Sequence, residues 1–170
     1  MIELRGVSKS FGSLRAVDGV DLRIGEGELF GMIGRNGAGK STLFQIMLGL
    51  VNADLGDVLV GGERVDRPGF RAVKRSVGYL PENVVLYDNL SGSETLRFFA
   101  RLKGVDTSEC PLLLEEVGLA AAAARKVREY SKGMKQRLGF AQALLGKPSL
   151  LFLDEPTNGL DPEGIRDFYR

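Results

Sequence analysis

Residues 34–41, Gly-Arg-Asn-Gly-Ala-Gly-Lys-Ser, fit the pattern G-x-x-x-x-G-K-[ST] and decide the fold. Glycines allow successive backbone N–H groups to turn toward one anion, and a helix that follows presents its N-terminus to the same anion. The pattern predicts a phosphate-binding loop between a strand and a helix, although a glycine-rich turn is the alternative. Lys40 would reach the phosphates, and the Ser41 hydroxyl would bind Mg²⁺. The residues expected to hold the nucleotide here are Gly34, Asn36, Gly37, Ala38, Gly39, Lys40, Ser41 and Thr42.

Residues 150–155, Leu-Leu-Phe-Leu-Asp-Glu, form the second informative stretch. Four apolar residues followed by two acids predict a buried strand that delivers carboxylates at its carboxyl end. Asp154 would hold Mg²⁺, directly or through water, and Glu155 would orient and deprotonate an attacking water molecule. The alternative is an ordinary strand followed by an acidic helix cap, because Asp and Glu favour helix N-termini.

The composition excludes several classes of chemistry. The chain has 170 residues, 44% hydrophobic and 26% charged, as expected for one globular domain. The absence of histidine excludes Ser-His-Asp catalysis and histidine-ligated zinc, and the single cysteine, Cys110, excludes an internal disulfide. Lys plus Arg (23) nearly balance Asp plus Glu (22), so the net charge of +1 gives no general attraction to nucleic acid.

The apolar pattern predicts an α/β fold with a strand-rich N-terminal part and a helical insert. Strands are expected at residues 2–7, 20–24, 28–33, 57–60, 76–80 and 149–153, and helices at 43–48, 109–117 and 131–145. Ser91 and Glu94 have capping-box spacing at the start of a further helix. Residues 120–124, all alanine, are expected to form a small helical turn. This order favours a single domain, residues 1–170, with a helical subdomain at about 89–145.

Residues 130–136, Tyr-Ser-Lys-Gly-Met-Lys-Gln, open the last expected helix. Ser131 and Gly133 at a helix N-terminus would form a second anion site, although a serine N-cap on an amphipathic helix explains the same residues. The stretch resembles the signature segment of ABC (ATP-binding cassette) ATPases. Together with the two stretches above, it extends a resemblance to that family over the whole chain.

The resemblance implies an ATPase that uses ATP and Mg²⁺ to drive a membrane transporter. The implied fold is a P-loop NTPase core with antiparallel N-terminal strands. Phe11 stands where the family stacks an aromatic ring on adenine, and Ser131 and Gly133 would close over the ATP of a second, head-to-tail subunit. The implied catalytic residues are Glu155 and Lys40, and the implied Mg²⁺ ligands are Ser41, Asp154 and Glu82.

Residues 78–83 correspond to the family loop that normally carries a glutamine, but position 82 is Glu. A carboxylate still accepts hydrogen bonds, whereas its charge changes the local electrostatics. The glutamate form resembles a subgroup of bacterial ABC ATPases that includes exporters and maturation systems. Within it, residues 79–104 and 130–162 resemble most the ATPase of the copper-processing system for nitrous-oxide reductase maturation, which predicts a copper-processing or exporter role.

The implied partners are a transmembrane permease subunit and a second ATP-binding subunit, and no nucleic acid is expected. The helical insert and the loop around Glu82 would receive the permease. No apolar run approaches the roughly 18 residues of a membrane span, and residues 1–5 lack a signal-peptide pattern. We therefore expect a cytoplasmic chain that is peripheral to the inner face of the cell membrane.

Residues 159–161, Gly-Leu-Asp, resemble the D-loop that crosses the dimer interface of the family. Family members continue beyond it to a switch histidine, which this chain lacks, so the resemblance implies an incomplete cassette. Two functions stay open: an ATP-hydrolysing transporter subunit, and a fragment that binds Mg-ATP without appreciable turnover. A third, an ABC ATPase that acts on nucleic acid or ribosomes, is less favoured, because neither tandem cassettes nor a long coiled-coil insert is visible.

Overall fold

The structure, a computed structural model, describes residues 1–35, 37–157 and 165–166. The chain forms two compact units, residues 1–75 and 76–170, and each has its own buried apolar residues. The extent of a single domain and of its helical subdomain stays a prediction. Within the described residues, no helix is both long and apolar enough to cross a bilayer.

The first unit is built on a four-stranded antiparallel sheet in the order β2-β1-β3-β4. Its elements are β1 (Ile2–Phe11), β2 (Leu14–Ile24), α1 (Lys40–Met47), β3 (Leu55–Val60), β4 (Glu63–Arg64) and α2 (Phe70–Arg75). Ile2 and Leu4 pair with Val60 and Val58 across the sheet, and all four are buried. Helix α1 packs against β2 and β3 and buries Ile46 completely. The expected antiparallel N-terminal strands are therefore confirmed.

The strand expected at residues 28–33 is wrong. This segment contains neither helix nor strand, and the side chains of Leu29 and Ile33 are almost fully exposed. An apolar run has strand geometry only where a neighbouring backbone accepts and donates the ladder hydrogen bonds. No described strand of the first unit pairs with it.

Between residues 76 and 157, the second unit combines a two-stranded parallel sheet with three α-helices. Its elements are β5 (Val77–Leu80), α3 (Gly92–Lys103), α4 (Cys110–Glu116), α5 (Lys132–Leu144) and β6 (Leu150–Leu153), with 3₁₀ turns at Thr107–Glu109, Ala120–Ala122 and Val127–Glu129. Helix α5 packs directly on β5, and a Cβ at Gly78 would lie 2.2 Å from the Ala143 carbonyl oxygen. Only glycine fits so close an approach. The expected helical turn in the alanine run is confirmed.

The helix starts follow the capping rules read from the sequence. The Glu94 N–H donates to Ser91 Oγ at 3.2 Å, and the Ser91 N–H donates to Glu94 Oε2 at 2.7 Å, so the capping box of α3 is complete. Leu96 of α3, Leu114 of α4 and Leu138 of α5 are among the buried residues of one apolar cluster. This cluster holds α3, α4 and α5 together.

Candidate functional site

The phosphate-binding loop expected from the sequence precedes α1. Lys40 begins that helix, and its Nζ donates to the Gly34 carbonyl at 2.7 Å and to the Arg35 carbonyl at 3.3 Å. The Ala38 N–H donates to the same Arg35 carbonyl at 3.1 Å. The loop therefore turns around the lysine ammonium group. Asn36, also expected in this site, lies outside the described residues.

Gly39 shows why this loop needs glycine. It caps α1 with φ 84°, in the left-handed region that side chains disfavour. A Cβ at this position would lie 2.1 Å from the Ala16 carbonyl oxygen of β2. Both observations require a residue without a side chain, and the loop can approach β2 only on that condition.

The first turn of α1 suits an anion. It contains no acidic residue, and no side chain caps its N–H groups. No acidic residue or side-chain cap of this turn therefore opposes a phosphate at its N–H groups, and the helix dipole favours one. Ser41 is exposed and Thr42 half-buried in the same turn. These residues fit a nucleotide phosphate chain, and Ser41 supplies one oxygen of the kind that Mg²⁺ prefers.

Phe11, expected to stack on adenine, ends β1 with its side chain 49% exposed. The Lys9 Nζ lies 5.4 Å from the centre of its ring. An exposed aromatic ring next to a cation can accept a flat aromatic base on its free surface. The ring does not belong to the buried residues of the first unit.

In the second unit, β6 delivers two acids at its carboxyl end. Asp154 is 4% exposed, and its N–H donates to the Leu80 carbonyl at 2.9 Å, which extends the pairing of β5 with β6. Glu155 is exposed and has φ 49°. A left-handed backbone at a residue other than glycine costs about 1–2 kcal/mol, and such residues are concentrated at functional sites. The expected strand followed by two carboxylates is confirmed, but only Phe152 of its four residues is buried and the other three are half-buried.

Glu82 lies at the same edge of this sheet. It lies two residues after the end of β5, and the carboxyl ends of parallel strands meet at one edge. Glu82 is exposed, whereas Asp154 is buried beside Tyr79. Burial, and secondly the negative charge of Asp154, raise the pKa of the Tyr79 hydroxyl. The parallel pairing therefore gathers two of the three expected Mg²⁺ ligands at one sheet edge.

Ser131 and Gly133 open α5. Ser131 is its N-cap, and the side-chain oxygen accepts a hydrogen bond from the Met134 N–H at 3.2 Å. The simpler interpretation of this serine as an N-cap is thus confirmed. The first turn of α5, which contains Gly133, also lacks acidic residues, so no carboxylate there would repel an anion.

Sequence reasoning missed the role of Gln136, the last residue of the signature segment and the fifth residue of α5. This side chain is 3% exposed, and its Nε2 donates to the Pro156 carbonyl at 3.2 Å. The hydrogen bond joins α5 to the segment that follows Asp154 and Glu155. A polar residue on the apolar side of a helix was the available signal, because a buried amide requires a partner.

Among the described residues, no three Cys, Asp or Glu side chains gather into a metal site. A site for Mg²⁺ does not need such a cluster, because Mg²⁺ commonly takes one or two protein oxygens and completes its coordination shell with phosphate and water. The expected D-loop, residues 159–161, lies outside the described residues.

Comparison with known proteins identifies the family. The model of the family described as "ABC transporter" matches residues 17–158. The chain is 45% identical over 168 residues to the uncharacterized ABC transporter ATP-binding protein YhcH of Bacillus subtilis, covering 98% of this chain and 55% of YhcH. It is 40% identical over 167 residues to the lantibiotic transport ATP-binding protein SrtF of Streptococcus pyogenes, covering 98% of this chain and 71% of SrtF. The chain thus spans about half the length of YhcH.

The fold is shared with solved structures of ATP-binding cassettes. One is the dimeric structure of a post-hydrolysis state of the ATP-binding cassette MJ0796 bound to ADP and Pi, with a TM-score of 0.87 and 26% sequence identity. The alignment covers 98% of this chain and 79% of that one. The expected P-loop NTPase fold of mixed α/β type is therefore confirmed. With a family model that spans most of the chain, the chain belongs to the ABC transporter family as an ATP-binding domain.

Proposed function

We propose that the chain binds and hydrolyses ATP as part of a subunit that energises a membrane exporter. The observation that carries this proposal is the loop at residues 34–42, in which Lys40 is held by the Gly34 carbonyl and Gly39 meets the Ala16 carbonyl. A loop of this build presents N–H groups and one ammonium charge to a phosphate chain. Phe11, with its exposed ring, would stack on the adenine.

Each residue of the site has a proposed chemical role. Lys40 would bind the β- and γ-phosphates, and the proposed Mg²⁺ ligands are Ser41 in the first unit and Asp154 and Glu82 in the second. When bound, Mg²⁺ neutralises charge that develops on the phosphate oxygens. Glu155 orients the attacking water and accepts its proton, a task that no histidine in this chain can perform.

A second ATP-binding subunit would complete the site. Ser131 and Gly133 lie at a helix N-terminus without acidic residues, which suits the γ-phosphate of a nucleotide held by the other subunit. The comparison structure is itself described as dimeric. We propose the head-to-tail dimer in which each α5 N-terminus faces the partner's ATP.

The permease is proposed to dock on the segment after Glu82. Val85 is 87% exposed and Tyr87 52% exposed, and the Tyr87 ring meets Phe98 of α3 edge-on at 5.4 Å. An exposed apolar patch of this kind is typical of a protein interface. Docking there would hold the chain at the inner face of the membrane.

The cargo is proposed to be a compound that the cell exports. SrtF is named as a lantibiotic transport protein, and we extend transport, though not that substrate, to this chain. The direction, export, is our own proposal. The names of the relatives reported above give the copper-processing expectation no support. Binding of Mg-ATP without turnover is the second candidate, because the phosphate loop and the exposed ring of Phe11 could hold the nucleotide without any contribution from Glu155.

The test is Mg-ATP binding by Lys40→Ala. Removal of the ammonium group should weaken binding by at least about tenfold, equivalent to 1.4 kcal/mol. Lys74→Ala is the matched control, because Lys74 also belongs to the first unit but lies in α2, and it should bind ATP normally. Unchanged affinity in Lys40→Ala would reject the phosphate-loop assignment.

A further inference from the structure

The backbone at Glu155 has a conformation that the local sequence disfavours. Its φ of 49° lies in the left-handed region, which residues with a side chain rarely adopt. The next residue is Pro156, and a proline ring steers the residue before it toward an extended backbone. A disfavoured conformation of this kind persists only where the surrounding structure holds it. The contacts on either side of Glu155 therefore determine where its carboxylate lies.

Two hydrogen bonds lie on either side of Glu155. Before it, the Asp154 N–H donates to the Leu80 carbonyl of β5 at 2.9 Å. After it, Gln136 Nε2 of α5 donates to the Pro156 carbonyl at 3.2 Å. Proline has no N–H, so this carbonyl is the only main-chain group of Pro156 that can form a hydrogen bond. The first bond joins main-chain atoms alone, whereas the second depends on a single side chain.

Gln136 is held firmly enough to serve as an anchor. It is the fifth residue of α5 and is 3% exposed. Helix α5 packs on β5, and Leu138 of the same helix is fully buried in the apolar cluster of the second unit. Close packing leaves a buried side chain little room to move. The Gln136 amide is therefore a fixed donor that ties the segment after Glu155 to α5.

We propose that Gln136 is a positioning residue for ATP hydrolysis. Through the Pro156 carbonyl, it holds the backbone of Glu155 so that the carboxylate keeps the position from which it accepts the proton of the attacking water. This inference rests on the proposed role of Glu155 as the general base. Gln136 itself contacts neither nucleotide nor water in this mechanism. Because a shift of a reacting group by about 1 Å can cost about 10²-fold in rate, loss of the hydrogen bond should affect turnover and not ATP binding.

Steady-state ATP hydrolysis by Gln136→Met is the first test. Methionine has nearly the length of glutamine and suits apolar surroundings, but it has no N–H to donate. We expect kcat to fall by at least about tenfold, whereas the KM for Mg-ATP should change by less than about twofold. An undiminished kcat, or a loss that lies entirely in KM, would overturn the proposal.

Two further variants keep this test specific. Gln136→Asn retains an amide on a side chain that is one methylene shorter, so it should show the same loss of kcat and serves if Gln136→Met does not fold. Gln142→Met makes the same change at a half-buried glutamine of α5 that points about 120° away from Gln136 around the helix. It should keep the wild-type kcat. An equal loss in Gln142→Met would reject a specific role of Gln136.

A double variant tests whether Gln136 acts through Glu155. In the Glu155→Gln protein the proposed base is already lost, so the addition of Gln136→Met should slow single-turnover hydrolysis by less than about twofold. Two residues that acted independently would instead multiply their effects. A further fall of about tenfold or more in the double variant would show that Gln136 does not act through Glu155, and it would overturn the proposal.

Hydrogen–deuterium exchange tests the positioning without any need for hydrolysis. Gln136→Met should speed exchange in a peptide that covers residues 154–157 by at least about fivefold, because one of its two anchors is gone, while exchange in α3 should stay as in the wild type. Unchanged exchange in residues 154–157 would reject the positioning whether or not the chain hydrolyses ATP. Faster exchange in a chain whose wild type shows no turnover would reject the proposed hydrolysis instead, and with it the catalytic consequence of the Gln136 contact.

Discussion

The position of Gly39 has two requirements, a left-handed backbone and no side chain, that only glycine meets together. It adopts φ 84°, and the place of its missing Cβ lies 2.1 Å from the Ala16 carbonyl oxygen. Gly37, two residues earlier, has nearly the same φ of 81°, but no atom lies within 4 Å of the position where its Cβ would be. A side chain at Gly37 would therefore cause backbone strain alone, whereas a side chain at Gly39 would cause both backbone strain and a steric clash with β2.

Alanine substitutions at the two glycines should differ in their effect on the free energy of unfolding. Gly37→Ala should lower it by about 1–2 kcal/mol, the cost of a left-handed backbone at a residue with a side chain. Gly39→Ala should lower it by a clearly larger amount, because the new Cβ also displaces the β2 backbone. Urea denaturation of both variants measures the difference. Equal losses would mean that the loop and β2 are not in the close contact described.

Residues of the candidate site could be proposed from the sequence alone where the pattern is local. Lys40, Ser41 and Asp154 follow from short patterns whose geometry depends on neighbouring residues alone. Gln136 could not be placed, because its partner, the Pro156 carbonyl, lies on the segment after another element. The hydrogen bond depends on how α5 packs beside β6, and this packing cannot be predicted from a short stretch of sequence.

The capping box of α3 makes the stability of this helix depend on pH in the acid range. The Ser91 N–H and the Lys126 ammonium group, 3.1 Å from Oε2, hold the pKa of the Glu94 carboxyl down at about 2. A carboxyl whose pKa is lower in the folded than in the unfolded state stabilises the fold. This stabilisation is complete above the unfolded-state pKa, and it is lost as the pH falls through the folded-state pKa. For Glu94, that window runs from about 4.5 down to about 2.

Glu94→Gln should therefore flatten the pH dependence of the melting temperature in this window. The amide can still accept the hydrogen bond from the Ser91 N–H but carries no charge for Lys126 to stabilise. Thermal unfolding followed by circular dichroism between pH 5 and about 2 gives the slope. Glu115→Gln, at an exposed site outside the box, should keep the wild-type slope. A steep slope retained in Glu94→Gln would assign the acid sensitivity to other carboxylates.

At the scale of elements, the sequence predicts what short-range rules determine. The starts of α3 and α5 were predicted because their capping side chains lie within three residues of the helix. The strand expected at residues 28–33 was wrong because strand pairing depends on a partner far away in the chain. Strand β4 and helix α2 were missed. Strand β4 is only two residues long and α2 buries only Phe70, so neither shows a repeating pattern of apolar residues in the sequence.

The proposed nucleotide residues are divided between the two units of the molecule. The phosphate loop and Phe11 belong to residues 1–75, whereas Glu82, Asp154, Glu155 and the α5 N-terminus belong to residues 76–170. In the proposed mechanism, Lys40 and its loop bind the phosphates and Glu155 activates the water. Binding and turnover are therefore separable by mutation, which distinguishes the two candidate functions.

Mg-ATP turnover by the 170-residue chain and by Glu155→Gln tests the proposal for the whole molecule. Both proteins should bind Mg-ATP with similar affinity, because Glu155 does not belong to the phosphate loop. Loss of a positioned general base should slow hydrolysis by about 10²–10⁴-fold. Equal turnover in both proteins would contradict the role of Glu155. Retained binding with no turnover in either would select the nucleotide-binding function, since affinity without rate is what equal binding of ground and transition states produces.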